Sequence, residues 1–415
     1  MYEGSHEDYL NGGCMKKTVN YEAIKDFKPM RASLNVQDAV RESSRCLLCA
    51  DAPCSQGCPA GTDPAKFIRQ IRFENYKGAA RTIRNNNVFG LACAHTCPVE
   101  KLCEKACSSK LVDGPINIAG LQQFACEYGC TNKLESFEKV ESHGKKVAVI
   151  GSGPAGLACA TELAKKGFSV TVFEKENSAG GVPVQTIPSY RLPNAAISDA
   201  VNTAKQLGVN FVFGKTISGK DAVKNLLNDG YKACFVSTGL VTSTELPLFN
   251  GFQNVANAKS FLNTVKFGSK PNFNGKNVAV IGGGSVAMDA AITAKALGAS
   301  NVYAVSLEAL NELPADPEEI ELARGAHVTF IPASQITEVV SEGKNISALK
   351  GVNITWAEAG NFSPANARPV AGTSFTIKAD YVIQAIGSSA GAEIKELATG
   401  LKHKGRGTIA VSDAF

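Results

Sequence analysis

Two textures divide the chain. From Lys145 onward, short continuous apolar runs alternate with longer stretches of helical period. Val147–Ile150 is too short for a helix and reads as a buried strand, Pro154–Lys166 carries apolar residues at three- and four-residue spacing and reads as a helix, and Ser169–Phe173 reads as a second strand. The same order returns at Asn277–Ile281, Val286–Leu297 and Asn301–Ser306. Strand–helix–strand units build parallel sheets, and two of them far apart predict an α/β protein with two Rossmann-like nucleotide-binding domains rather than a solenoid. Before Lys145 there is no strand-like alternation. Pro64–Arg72 and Ala79–Asn86 are short amphipathic stretches, and Asp51-Ala52-Pro53 and Asp113-Gly114-Pro115 are turn signals, so residues 1–142 read as a small helical domain.

Both units carry a glycine loop where a nucleotide fold needs one. Val147–Ile150 runs straight into Gly151-Ser152-Gly153-Pro154-Ala155-Gly156, the pattern G-x-G-x-x-G between strand and helix. In this pattern the first glycine makes the tight turn, the second lets the backbone approach a pyrophosphate, and the third lets helix pack on strand. The helix N-terminus then offers its partial positive charge to the phosphates. Glu174, at the end of the second strand, stands where an acid can bind ribose hydroxyls. The second loop, Gly282-Gly283-Gly284-Ser285-Val286-Ala287, is the G-x-G-x-x-A variant. Two such loops predict two nucleotides, one a resident flavin and the other an exchanging nicotinamide cofactor. The alternative is one inactive duplicate.

Composition narrows the setting. With 44 % hydrophobic and 20 % charged residues the chain has the make-up of a soluble protein, and no apolar run approaches the roughly 18 residues of a membrane span. The N-terminal residues Met1–Asp8 show neither the basic nor the apolar region of a signal peptide, so a cytoplasmic location is expected. A net charge of +5 is mild and gives no reason to expect nucleic acid or a membrane surface as partner. There are 13 cysteines, and eight of them lie between positions 46 and 107. In a reducing compartment such a cluster reads as metal ligands rather than disulfides.

Their spacing is Cys46-x2-Cys49-x4-Cys54-x3-Cys58-Pro59, then Cys97-Pro98-x4-Cys103-x3-Cys107, with Cys93 between the two strings. A close-spaced run completed by a remote cysteine is how two-cluster ferredoxins are ligated, and proline stops a helix beside the metal. A structural zinc site and unligated thiols are the alternatives; zinc ribbons use paired Cys-x2-Cys steps, of which there is one here. Cys93 and His95 break the symmetry of the string and are expected beside a cluster rather than on it. Cys126 and Cys130, spaced i, i+4, could share a helix face and grip a metal, whereas Cys159 and Cys234 read as buried thiols and Cys14 as unligated.

Several stretches together resemble the N-terminal half of dihydropyrimidine dehydrogenase and the separate iron–sulfur flavoprotein subunit of its bacterial forms. They are Arg45-Cys46-Leu47-Leu48-Cys49 with Ala52-Pro53-Cys54, Gly114-Pro115-Ile116-Asn117-Ile118-Ala119-Gly120-Leu121-Gln122-Gln123-Phe124, Ile187-Pro188-Ser189-Tyr190-Arg191-Leu192-Pro193, and Pro317-Glu318-Glu319-Ile320-Glu321-Leu322-Ala323. The resemblance covers roughly residues 38 to 413, and the small subunit of glutamate synthase is a more distant relative with the same architecture. It implies that Cys46, Cys49, Cys54 and Cys107 hold one [4Fe–4S] cluster and that Cys58, Cys97, Cys103 and the side chain of Gln122 hold a second. It places FAD on Gly151–Gly156, on the Glu174–Val182 segment with Gly180 and Gly181, and on Arg191, whose cation near a flavin would stabilise the anionic reduced ring. The nicotinamide nucleotide falls to Gly282, Gly283, Gly284, Ser285, Val286, Glu308, Ala385, Ile386 and Gly387. The implied domains are 1–142 for the clusters, 143–250 for FAD, 251–385 for NAD(P)H, and 386–415 as a return to the FAD domain.

Two departures qualify the implication. The NADP-dependent members carry two arginines for the 2′-phosphate, where this chain has Leu307 and Pro314 with Glu308 adjacent, so NADH is expected over NADPH. The family's closing strand and Gly-Asp turn over FAD are not found before Phe415, nor is the FMN barrel that binds the pyrimidine, so the FAD domain reads as truncated at its C-terminus. The expected function is electron transfer from NAD(P)H through FAD and two clusters to the FMN of a partner domain or subunit that reduces uracil or thymine, in a dimeric assembly. The alternatives are the electron-input subunit of glutamate synthase and a non-catalytic assembly subunit or truncated pseudo-enzyme.

Overall fold

The structure is a computed structural model and describes residues 19–134, 137, 140–397 and 399–412; Cys14 lies outside them. Up to Thr131 the chain is helical, as its pattern predicts. Pro64–Arg72 shows why: Asp63 caps the helix by accepting the Lys66 N–H at 3.0 Å, Pro64 occupies the first turn, and Phe67, Ile68 and Ile71 form one buried stripe. The next helix begins at Tyr76 rather than Ala79, because the Asn75 side chain accepts the Gly78 N–H at 2.9 Å and starts the turn earlier. Ile118–Thr131, capped by Asn117, runs through the middle of this domain with Ile118, Leu121, Phe124 and Ala125 buried.

The first α/β unit is a four-stranded parallel sheet in the order β3-β2-β1-β4, with β1 Lys146–Ile150, β2 Ser169–Phe173, β3 Asn210–Val212 and β4 Tyr231–Val236. The second is a five-stranded parallel sheet built on Asn277–Ile281, flanked by Asn301–Val305 and Thr329–Ile331 on one side and by Tyr381–Gln384 and Val255–Asn257 on the other. The chain passes between the units twice, and the two crossings pair as short antiparallel strands, Thr242–Ser243 with Ser388–Ser389. An antiparallel sheet over residues 334–378 is inserted before the last strand of the second unit and was not foreseen.

The cores show how the parts are joined. One contiguous core contains Phe67, Ile71, Leu121 and Phe124 of the helical domain together with Val149, Leu157, Val172 and Ile197 of the first unit. A second core centres on Val278, Val280, Ile292 and Ile383, and it takes in Ile24, Met30 and Tyr190 from outside that unit. The N-terminal segment therefore ties the second unit to the rest; Met30 N–H also donates to the Tyr190 carbonyl at 2.9 Å.

Candidate redox-cofactor sites

The cysteines separate into two groups. Cys46, Cys49, Cys54 and Cys107 line one pocket whose other walls include Pro53, Ile68, Ile116 and Ile118. Arg45 fixes its rim by donating to the Asp113 carbonyl at 2.6 Å and the Gly114 carbonyl at 3.0 Å while pairing with Glu42 at 2.7 Å. Glu42 in turn accepts the Asn117 N–H at 2.7 Å, which ties the Gly114–Asn117 stretch to the first cysteine pair. Burial and then the neighbouring Cys107 thiol push the Cys46 and Cys54 thiols up, while backbone N–H groups of Leu48 and Ser55 point at the two sulfurs.

The second group forms around Cys58, Cys97 and Cys103, which lie close enough to perturb one another. Burial first, then Cys93 and Cys58, push the Cys97 thiol up to about 11; burial, then Glu104, Cys97 and Cys58, push Cys103 up to about 12. At neutral pH such thiols are protonated unless a cation draws off the proton, which is what a metal cluster does. Gln122 Nε2 donates to the Gly90 carbonyl at 2.6 Å, fixing this side chain against the helix Gly90–Thr96 that ends at Cys97. Four thiols line the first pocket, a sulfur-only donor set of the kind iron–sulfur clusters use. The thiol-rich donors of this domain fit iron–sulfur ligation.

Cys126 and Cys130 do not form a metal pair. Cys126 is fully buried, and the Cys130 sulfur sits 3.1 Å from Asp199 Oδ1 and 3.0 Å from Arg84, inside an Arg84–Asp199 ion pair of 2.7 Å. The i, i+4 spacing is real, but the Cys130 sulfur is already engaged by that ion pair.

In the first glycine loop each glycine has a distinct need. Gly151 has φ +97°, and a Cβ there would meet the Ser237 carbonyl. A Cβ on Gly153 would meet nothing within 4 Å, so this edge is open to a ligand, and one on Gly156 would strike the Gly151 carbonyl. Turn, approach and packing are thus divided as the pattern requires. Glu174 is buried and already employed: Oε2 accepts the Ser152 N–H at 2.8 Å and the Ser152 hydroxyl at 2.5 Å, and Oε1 accepts the Glu176 N–H at 2.9 Å. It splints the loop to the strand end. Ser237, not singled out in the sequence, donates to the Ile150 and Gly151 carbonyls at 2.9 and 3.1 Å; its one signal was its place at the end of an apolar strand.

The second loop is covered by the chain that follows the strand Asn301–Val305. Gly282 has φ +136° and abuts the Ala385 carbonyl, and Ala385 N–H donates to Ile281 at 2.8 Å, so Ala385–Gly387 lies beside the loop. A Cβ on Gly283 would come within 3.2 Å of Glu308 Oε2, and one on Gly284 within 4.0 Å of Pro314. Glu308 is therefore held over the loop, and its carboxylate faces the place where an adenosine ribose is expected.

Arg191 lies between the units rather than open to one of them. Its Nη1 is bidentate to Asp289 at 2.7 and 2.8 Å, and its Nη2 meets Glu319 at 2.6 Å. Burial opposes its charge, but the two carboxylates hold it firmly protonated. Its charge is balanced by two acids that are remote in sequence. Glu318 pairs with Arg31, and Asp316 with Lys101 at 2.6 Å, so the start of the helix Pro317–Gly325 also reaches the loop between Cys97 and Cys103. Asp289→Ala is expected to cost about 3 kcal/mol, because it leaves a buried guanidinium half-compensated, whereas Lys101→Ala at a part-exposed pair should cost under about 1 kcal/mol. Thermal unfolding followed by circular dichroism checks this; equal losses would contradict it.

Comparison with known proteins agrees in both halves. The family model described as dihydropyrimidine dehydrogenase domain II, 4Fe–4S cluster, matches residues 23–134, and that of the pyridine nucleotide-disulphide oxidoreductases matches residues 145–415. The NAD-dependent dihydropyrimidine dehydrogenase subunit PreT of Escherichia coli O157:H7 is 41 % identical over 309 residues, which is 74 % of each chain. The homolog of that subunit in Salmonella typhi is 38 % identical over the same share of each chain. Among solved structures, the oxidoreductase FprA of Mycobacterium tuberculosis superposes with a TM-score of 0.51 at 16 % identity, covering 65 % of this chain and 76 % of its own, which supports the fold.

Proposed function

As a member of the family of the NAD-dependent dihydropyrimidine dehydrogenase subunit PreT, this chain is an NAD(P)H-dependent flavin and iron–sulfur oxidoreductase, and we propose that it feeds electrons from NADH through FAD and two [4Fe–4S] clusters to a partner subunit's FMN, where uracil or thymine is reduced at its 5,6 double bond. The chemistry such groups supply when bound is hydride acceptance at the flavin and one-electron transfer at the clusters. The observation that carries the reading is the sorting of the cysteines into two groups on the same core as the first glycine loop. In this reading Cys46, Cys49, Cys54 and Cys107 hold one cluster and Cys58, Cys97, Cys103 and Gln122 the other.

The remaining residues bind and orient. Gly151–Gly156 leaves an open edge for a pyrophosphate, with Glu174 and Gly180–Val182 beside it, and Gly282–Val286 with Ala385–Gly387 receives the nicotinamide nucleotide. Arg191, Asp289 and Glu319 hold the two units against each other so that the nucleotides keep their relative position. The test is the visible spectrum of anaerobically purified protein: NADH should bleach flavin and cluster absorption together, and an unchanged spectrum in protein carrying both groups would sink the proposal.

Cofactor preference follows from the covered second loop. A 2′-phosphate wants an arginine fork, whereas Leu307, Leu313 and Pro314 are apolar and Glu308 would repel it while accepting hydrogen bonds from free hydroxyls. kcat/KM for flavin reduction is expected to favour NADH by about tenfold or more, the worth of one charge-assisted hydrogen bond. Equal or better kcat/KM with NADPH would overturn this.

A further inference from the structure

The second thiol group holds one donor more than a four-iron cluster needs. Cys93 lies one helical turn before Cys97, and the Cys97 N–H donates to the Cys93 carbonyl at 2.9 Å, so both side chains leave the same face of the helix Gly90–Thr96. Its thiol is largely buried and close enough to Cys58 and Cys97 to interact with both. The Asn87 amide donates to its sulfur at 3.3 Å. An N–H aimed at sulfur is what the Cys46 and Cys54 thiols of the first group also have. Gln122, on the helix Ile118–Thr131, donates to the Gly90 carbonyl at the start of the helix that carries Cys93, so the amide is tied to the element that holds this fourth thiol.

We infer that Cys93 is a reserve ligand of the second cluster: it binds the fourth iron whenever Gln122 does not hold it. The inference rests on the two-cluster reading above, with Gln122 at the fourth corner. The exchange breaks the bond from iron to the amide oxygen, forms one from iron to the Cys93 sulfur, and releases the thiol proton to solvent. The incoming thiolate adds one negative charge to the cluster, which favours the oxidised state and lowers its potential.

The experiment compares wild type, Cys93→Ala, Gln122→Ala and the double variant, all purified without air, by iron count, EPR and redox titration. Wild type and Cys93→Ala should each hold about eight irons with like EPR spectra. Gln122→Ala should also hold about eight, with one cluster's signal changed and its potential lowered. The double variant should lose that cluster or keep it only in a three-iron form. The signal of the other cluster, from Cys46, Cys49, Cys54 and Cys107, reports in every variant that the domain has folded. Loss of the cluster in Gln122→Ala alone would overturn the inference, as would a double variant indistinguishable from Gln122→Ala. Loss in Cys93→Ala alone would make Cys93 the resident ligand and overturn it equally. Fewer than about eight irons in the wild type would instead count against the two-cluster reading.

Discussion

Cys54→Ser, prepared without air, is expected to hold about four irons per chain where the wild type holds about eight. Cys54 shares one cavity with Cys46, Cys49 and Cys107, and its sulfur is turned toward Cys107 and Cys46. A serine hydroxyl is a hard donor with a far higher pKa than a thiol, so the corner is lost and with it the cluster. The other group stands apart, since Cys97 and Cys103 are perturbed by Cys58 and not by Cys54. Its EPR signal should survive. Cys234→Ala, at a half-buried thiol on β4, serves as control and should keep all the iron. Unchanged iron in Cys54→Ser, or zinc in place of iron in the wild type, would contradict the assignment.

What the sequence made legible was what depends on near neighbours. Each glycine of Gly151–Gly156 answers a need set within a few residues, so strand, turn and helix could be read in order. The cysteine string was equally local, because spacing alone decides which thiols can share a compact cluster. Long-range pairing was not legible. Asp289 and Glu319 sit on helices of the second unit, and nothing around Arg191 announces that both will close on it. The role of Glu174 as a splint for Ser152 was missed for the opposite reason: the motif supplied a ligand-binding role, and the hydrogen bonds within the loop were not counted against it. The antiparallel insertion carried its signal in Ser334–Glu342, where Ser334 and Ile336 are buried and Gln335 and Thr337 exposed. That two-residue alternation lies within a stretch otherwise patterned as alternating strands and helices, which masks it.

Those long-range contacts bear on how the parts act together. The helical domain shares a core with the first unit, while the second unit is bound through Ile24, Met30, Tyr190 and the carboxylates of its Pro317–Gly325 helix. The nicotinamide side thus meets the cluster domain near Cys97, the ligand of the second group closest to Glu100 and Asp316.

The same allocation of residues predicts what the chain does by itself. Supplied with FAD and NADH, it is expected to reduce ferricyanide and to leave uracil unconsumed. Pyrimidine reduction needs a flavin facing one side of the ring and a proton donor on the other. The two glycine loops are assigned to FAD and the nicotinamide cofactor, and the clustered cysteines to iron. Ferricyanide, by contrast, asks only for an exposed electron source, and the first group qualifies because Leu47 beside it is half exposed, at 51 %. NADH oxidation is to be followed with each acceptor, with and without excess FAD, and then with an FMN-containing partner subunit added. Uracil turnover should begin only in the last mixture. Turnover by the chain alone would overturn this division of labour, and failure with ferricyanide in protein that holds FAD and both clusters would leave the chain an inert scaffold.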